Sequence, residues 1–589
     1  MKKALLVLSV AALSLAALIA PVSAVPATDL GALAEYFPPE TPLFFSIRTD
    51  TAFIDELDGL IETFRGNLPP GTMPPVSLRQ MLEQNLSQQF GEDATLESAL
   101  PWLGDTAAFG IPTLENLFDD NRANDSVTHA ILALEVTDAD AAAAMIAEIY
   151  EQQGAEVARA QEGEWQLLTP QVPTHTFWAF NDEVALVATS VDLLPLSDDR
   201  RSLGRDAGFS ALLASLPASD YSAILALNVG DALRESYDLM LASTPNEPAM
   251  EMMRSLQPLY DNYPRQIMGF TLLDERTLAI DLAQEAFDYT TLEGPWADNL
   301  TPLLQIEPVD LSFAERVPAD APFVYLSTGL GHWTAYMIDV MATTIELGMR
   351  ASAEVEEDTP AFLAQIDAQD VRAFIDLSFA GMTGLNLQRE VLPYLNGTAA
   401  IYARALTAGD DQVTVDGAVV VEVTDRDATR HMYDRFVEAL TQYEADFEEE
   451  DGVLVLPGVI RGLLPADTPR ALLQAAELDF LIGVTDEVMA AGTRAAVKHS
   501  LNLSGPSLAD NPDYQAAQAA FLPDAQTIGY IGFAPVRDLV QMMGRLSNAP
   551  DDEVAGVVAF LQTLESAAFS GVIAEDGSSV VRMTLTLAD

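Results

Sequence analysis

Across 589 residues the chain sets 89 acidic side chains against 29 basic ones, a formal net charge of −60, while 49% of it is hydrophobic and none of it is cysteine. So acidic a surface repels nucleic acid and anionic lipid headgroups, and so much apolar residue excludes a disordered polyanion. The missing thiol removes cysteine nucleophiles, zinc–thiolate sites and iron–sulfur clusters together.

In chain order, Lys2, Lys3, the apolar run "ALLVLSVAALSLAALIA" (4–20) and "PVSA" predict a signal peptide over residues 1–24, cut near Ala24. The remainder is then expected outside the cytoplasm (periplasmic, cell-surface or secreted). No later stretch reaches the length of an apolar membrane span, so no transmembrane segment is expected in the mature chain. After a short lead (25–35), "PLFFSIRT" (42–49) predicts a strand launched by prolines. Phe53, Ile54, Leu57, Leu60, Ile61 and Phe64 keep helical spacing. "NLPPGTMPP" (67–75) reads as a loop, and a helix is expected near 77–90. "DTAAFGIP" (105–112) and "HAILALEV" (129–136) predict paired strands around the polar "DDNRANDS" (119–126), with a helix over 138–152. "WQLLT", "HTFWAFN" and "EVALVAT" predict a strand and a tight hairpin with Asn181-Asp182 at its turn. Helical segments to 215, the strand "YSAILALNV", a helix through the 230s to 250s and a terminal hairpin complete the stretch. Hairpins outnumber strand–helix–strand alternations, which predicts an α+β fold with a mainly antiparallel sheet packed by helices.

The chain then repeats itself. "YFPPETPLFFSIRTD" (36–50) is echoed by "RVPADAPFVYLSTGL" (316–330), "ALPWLGDTAAFGI" (99–111) by "VLPYLNGTAAIYA" (391–403), and "EVTDADAAAAM" (135–145) by "EVTDRDATRHM" (422–432). "FNDEVALVATS" (180–190) answers to "VTDEVMAAGTR" (484–494), "FSALLASLP" (209–217) to "YQAAQAAFLP" (514–523), and the segment 267–283 to 569–587. All six pairs fall in one linear order, roughly 280 to 306 positions apart, far beyond any solenoid or propeller period. Two tandem similar units are expected, 36–289 and 313–589, joined by the proline-bearing linker 290–312. In the eleven-residue phrase, Thr137 before Asp140 and Thr424 before Asp427 have capping-box spacing, with Met145, Ile149 and Tyr150 matched by Met432, Phe436 and Val437 as a buried stripe. The phrase therefore reads as a structural device used twice.

The chemistry-bearing patterns are sparse. His129, His175, His332, His431 and His499 show neither H-E-x-x-H nor H-x-H spacing. No G-x-S-x-G elbow, S-x-x-K, phosphate-binding loop or dinucleotide turn occurs, and Lys498 is the sole lysine beyond residue 24. Neither "DDNRAND" (119–125) nor "DRDATR" (425–430) has the glycine an EF-hand loop requires. "EADFEEED" (444–451) offers calcium a loose site at most, and reads more plainly as an acidic lead-in to the Gly452 turn. No catalytic or cofactor-binding residue is assigned, no cofactor is expected, and metal ligands stay unassigned.

"PPETPLFFSIRTD", "LPWLGDTAAFGI" and "NDEVALVATS" together resemble a family of exported bacterial proteins catalogued as domain of unknown function 3352. The resemblance implies export and an α+β build, and brings no catalytic residues with it. The expectation is an exported, strongly acidic, non-enzymatic binding or envelope-associated protein whose partner, a protein or a small molecule, the sequence leaves unnamed. The alternatives are a secreted hydrolase using paired carboxylates and a peptidase-inhibitor or chaperone-like binder.

Overall fold

The computed structural model describes residues 25–588 apart from 56–57, 60–76, 78, 82, 85–100, 113–128, 153, 172–175, 197–200, 244–249, 251–253, 255–256, 258–259, 288–299, 356–364, 408–412, 451, 460–478, 504 and 548–550. The expected signal peptide, the loop at 67–75, the polar stretch 119–126 and most of the helix near 77–90 lie outside the described residues. Two compact units divide the chain: Met1–Leu239 with Tyr260–Ala286, and Met240–Leu259 with Phe287–Asp589.

In the first unit β1 (Leu43–Arg48) is apolar at four of its six positions, and five of its six residues, Ser46 and Arg48 included, are buried because both its faces are covered. It lies antiparallel between β2 (Leu103–Ile111) and β8 (Ala223–Leu227). The other strands are β3 (Ile131–Val136), β4 (Val157–Glu162), β5 (Trp165–Pro170), β6 (Phe177–Phe180), β7 (Val184–Ala188), β9 (Gln266–Leu272) and β10 (Thr277–Gln284). Their order is β4–β5–β6–β7–β3–β2–β1–β8–β9–β10, every described pairing antiparallel. Helix α1 (Ala139–Gln152) lays Ala142, Ala143, Ile146 and Ala147 against Trp102, Leu168, Trp178 and Phe180. The small alanines let the helix approach the sheet closely, so the aromatics fill the gap and each contributes roughly 1.5–3 kcal/mol of burial.

The second unit holds β11 (Phe323–Ser327), β12 (Ala399–Thr407), β13 (Val413–Glu422), β14 (Glu448–Glu450), β15 (Val453–Leu456), β16 (Phe480–Val484), β17 (Val488–Gly492), β18 (Thr527–Gly532), β19 (Leu564–Ile573) and β20 (Ser579–Leu587). Their order is β14–β15–β16–β17–β13–β12–β11–β18–β19–β20, again antiparallel throughout the described pairings. Helix α2 (Arg426–Gln442) follows β13, and α3 (Arg494–Asn502) follows β17 and packs its buried Ala496 and Val497 into the core. The fold is α+β.

Two strands differ from expectation. β4 is exposed along almost its whole length, and Glu448–Glu450, read as a solvated lead-in, pairs with β15 as β14. Both are outermost in their sheets, where charge discourages pairing with another chain.

The eleven-residue phrase also differs in detail. The capping box through Thr137 and Thr424 does not form. Asp138 accepts the Ala141 N–H at 2.9 Å and Asp425 accepts the Ala428 N–H at 3.0 Å. The helices begin one residue later than the threonine would require, so the aspartate stands at the cap, where its charge suits the helix's positive end. Thr137 instead donates to the Pro101 carbonyl at 3.2 Å. The stripe forms as expected: Ile149 and Met432 are buried, Tyr150, Phe436 and Val437 pack against the cores, and Met145 is half-buried, its sulfur accepting the Trp102 indole N–H at 3.1 Å. At the head of the phrase, Glu135 Oε2 accepts from the Thr106 amide at 3.0 Å and hydroxyl at 2.8 Å, where the β2–β3 register shifts. Glu422 Oε2 accepts from the Thr398 amide at 3.0 Å.

Candidate functional site

The first unit carries a cleft of about 370 Å³ built from the ends of four segments. The short helical turn Ala32–Tyr36 presents Glu35 and Tyr36. The β4–β5 hairpin turns at Gly163, whose φ of 61° suits glycine, and delivers Glu164 and Trp165. The β6–β7 turn delivers Asn181, Asp182 and Glu183, held because Asn181 Oδ1 accepts the Glu183 and Val184 amides at 3.0 and 2.8 Å. Arg201, Ser202 and Arg205 close the rim around the turn Leu203–Arg205.

Tyr36 stands edge-on to Trp165, ring centroids 6.0 Å apart. Burial pushes the Tyr36 hydroxyl above its ordinary pKa, a hydrogen bond from Asn181 opposes this, and Glu183, Glu35 and Glu164 reinforce it. Among the described residues, no ion pair engages Glu35, Glu164, Asp182 or Glu183, nor Arg201 or Arg205. Ser202 is buried at 7% exposure, and its Oγ finds no hydrogen-bond partner. The cleft thus offers four carboxylates, two guanidiniums, an aromatic pair and an orphan hydroxyl, with no nucleophile–base pair.

In the second unit a cavity of about 390 Å³ is lined by Pro318, Ala319, Asp320, Arg404, Ala495, His499 and Pro506. The polar groups beside it are engaged with one another. Asp416, 1% exposed, accepts from Arg404 Nε at 2.6 Å, from the Ala496 amide at 3.1 Å and from the Thr493 hydroxyl. It caps α3 from a neighbouring strand, because Thr493 at the helix's own cap position supplies no cap bond. Arg404 Nη1 reaches Asp320 at 2.7 Å. The Tyr402 hydroxyl meets Ser500 Oγ and the Ala496 carbonyl, both at 3.0 Å, and burial pushes its pKa up to about 12. This network ties β12, β13 and α3 together.

The histidines are scattered: His129 and His431 are exposed, His499 is buried, burial lowers the pKa of His332, and His175 lies outside the described residues. Glu450, in the stretch offered to calcium, is bridged by Arg494 and stands 3.8 Å from Lys498. Among the described residues no group of three or more metal-ligating side chains converges, and no helix is long and apolar enough to cross a membrane. Among the described residues, the carboxylates with displaced pKa values, Asp206, Asp510 and Asp576, all move down, opposite to a hydrolase's general acid.

Fold and site together define an antiparallel α+β protein with a charged, aromatic-backed cleft in its first unit. The chain belongs to a family described as "Protein of unknown function (DUF3352)", whose model matches residues 3–452. No curated protein and no solved structure matches it.

Proposed function

We propose that this is an exported, non-enzymatic binding protein, made by duplication of one α+β module and acting outside the cytoplasm after removal of residues 1–24. Its ligand site is the cleft of the first unit. The observation that carries the binding role is the set of cleft groups that the fold leaves unused: four carboxylates without cations, set beside the Tyr36–Trp165 pair.

The duplication is supported by the shared strand order and by hydrogen bonds at matching positions. The Val136 amide donates to Glu183 O and the Val423 amide to Glu487 O, at 2.9 and 2.8 Å. Leu203 N donates to Phe37 O and Leu508 N to Val317 O, at 2.8 and 2.7 Å. Thr485 Oγ1 holds the Glu487 and Val488 amides as Asn181 holds those of its own turn.

Native mass spectrometry of the protein purified from its own host, with N-terminal sequencing, tests the reading. The expected result is a chain beginning near Val25 that carries one retained ligand. A full-length cytoplasmic chain would sink the export reading, and a bare chain even after incubation with host extract would sink the binding role.

A further inference from the structure

The two units can be read against each other position by position, which rests on the duplication and binding role just proposed. Tyr36, last residue of its helical turn, corresponds to Arg316, last residue of Leu311–Arg316. Glu183 corresponds to Glu487, Ser202 to Ser507 and Arg205 to Asp510. In the second unit the guanidinium of Arg316 is 14% exposed; it pairs with Glu487 and donates to the Ser500 carbonyl at 3.3 Å. Ser507 Oγ donates to Asp510 at 2.8 Å. The second unit therefore satisfies its own cleft. In the first unit arginine has become tyrosine and the aspartate has become Arg205, so Glu183 lacks a guanidinium and Ser202 lacks an acceptor.

We infer that the first unit's cleft binds a guanidinium group from outside the chain, such as the side chain of an arginine-containing peptide. The ligand takes the place that Arg316 fills in the second unit. Glu183 receives the fork of the guanidinium, a planar donor set that matches a carboxylate. The Tyr36–Trp165 pair offers aromatic surface to the flat cation. Four carboxylates against two arginines leave the lining negative.

The test is isothermal titration of the exported protein with acetyl-arginine amide, acetyl-lysine amide and acetyl-citrulline amide. The arginine compound is expected to bind at one site per chain, and the uncharged citrulline and the point-charge lysine at least tenfold more weakly. Glu183→Gln should weaken binding at least tenfold, and Tyr36→Arg, which writes the second unit's residue into the first, should abolish it. Near-UV circular dichroism confirms that both variants fold. No arginine binding, equal binding of lysine or citrulline, or unchanged affinity in either folded variant overturns the proposal. A different ligand found by native mass spectrometry would overturn the guanidinium and leave the binding role standing.

Discussion

Asp416→Ala is the sharpest test of how the second unit is held together. The carboxylate is almost wholly buried and takes three donors: the Arg404 guanidinium, the Ala496 amide and the Thr493 hydroxyl. Its removal leaves Arg404, 14% exposed, with only the 59%-exposed Asp320 as counter-charge, and uncaps α3. Breaking a buried pair from one side costs about 3–5 kcal/mol, because the surviving charge stays desolvated. For a unit of this size each kcal/mol moves the midpoint by roughly 2–4 °C, so a drop on the order of 10 °C is expected. Differential scanning calorimetry is the assay. Replacing both partners, Arg404→Met with Asp416→Leu, should restore most of the loss, whereas Asp320→Ala should cost no more than about 1 kcal/mol. A fall of less than about 2 °C in Asp416→Ala would refute the reasoning.

Asp138→Ala and Asp425→Ala should each cost about 1 kcal/mol in urea unfolding, and Thr137→Val clearly less; the reverse ranking would return the cap to the threonine. Glu135→Ala should cost about 1–3 kcal/mol by stranding the Thr106 amide, with Glu135→Gln recovering part of it in the same assay. Burial raises the pKa of Asp206, but the Phe209 amide and the Arg265 guanidinium outweigh it and hold the carboxyl below its ordinary value. A lowered folded-state pKa adds stability above the unfolded value, near pH 3.9, that is lost as pH falls through the folded one. The first unit should therefore weaken from about pH 4 downward, and Asp206→Asn should flatten that slope in acid titrations followed by fluorescence.

What the sequence revealed follows from where apolar residues must sit. β1, the β2–β3 pair, the β6–β7 hairpin and the β9–β10 hairpin were legible because their buried faces enforce β-branched and aromatic residues at fixed spacing. β4 and β14 were not, because an exposed edge strand such as Glu448–Glu450 has no apolar period to read. The helix caps were misplaced by one position, since Thr137 and Asp138 are both good cap residues and only the backbone decides between them. The cleft was invisible because its groups come from four distant segments and none of them is unusual alone. The signal lay in aligning distant segments of the chain: "AEYFPPE" against "AERVPAD" sets Tyr36 opposite Arg316, and "SLGRD" against "SLADN" sets Arg205 opposite Asp510.

The outermost strands have a further consequence. A sheet normally offers a templating border to any passing β-segment, yet here the glutamates of Glu448–Glu450 and the solvent-facing length of Val157–Glu162 stand at that border. Crowded copies of the protein should thus resist fibril growth by strand addition, and neutralising those three glutamates is where such growth would first take hold.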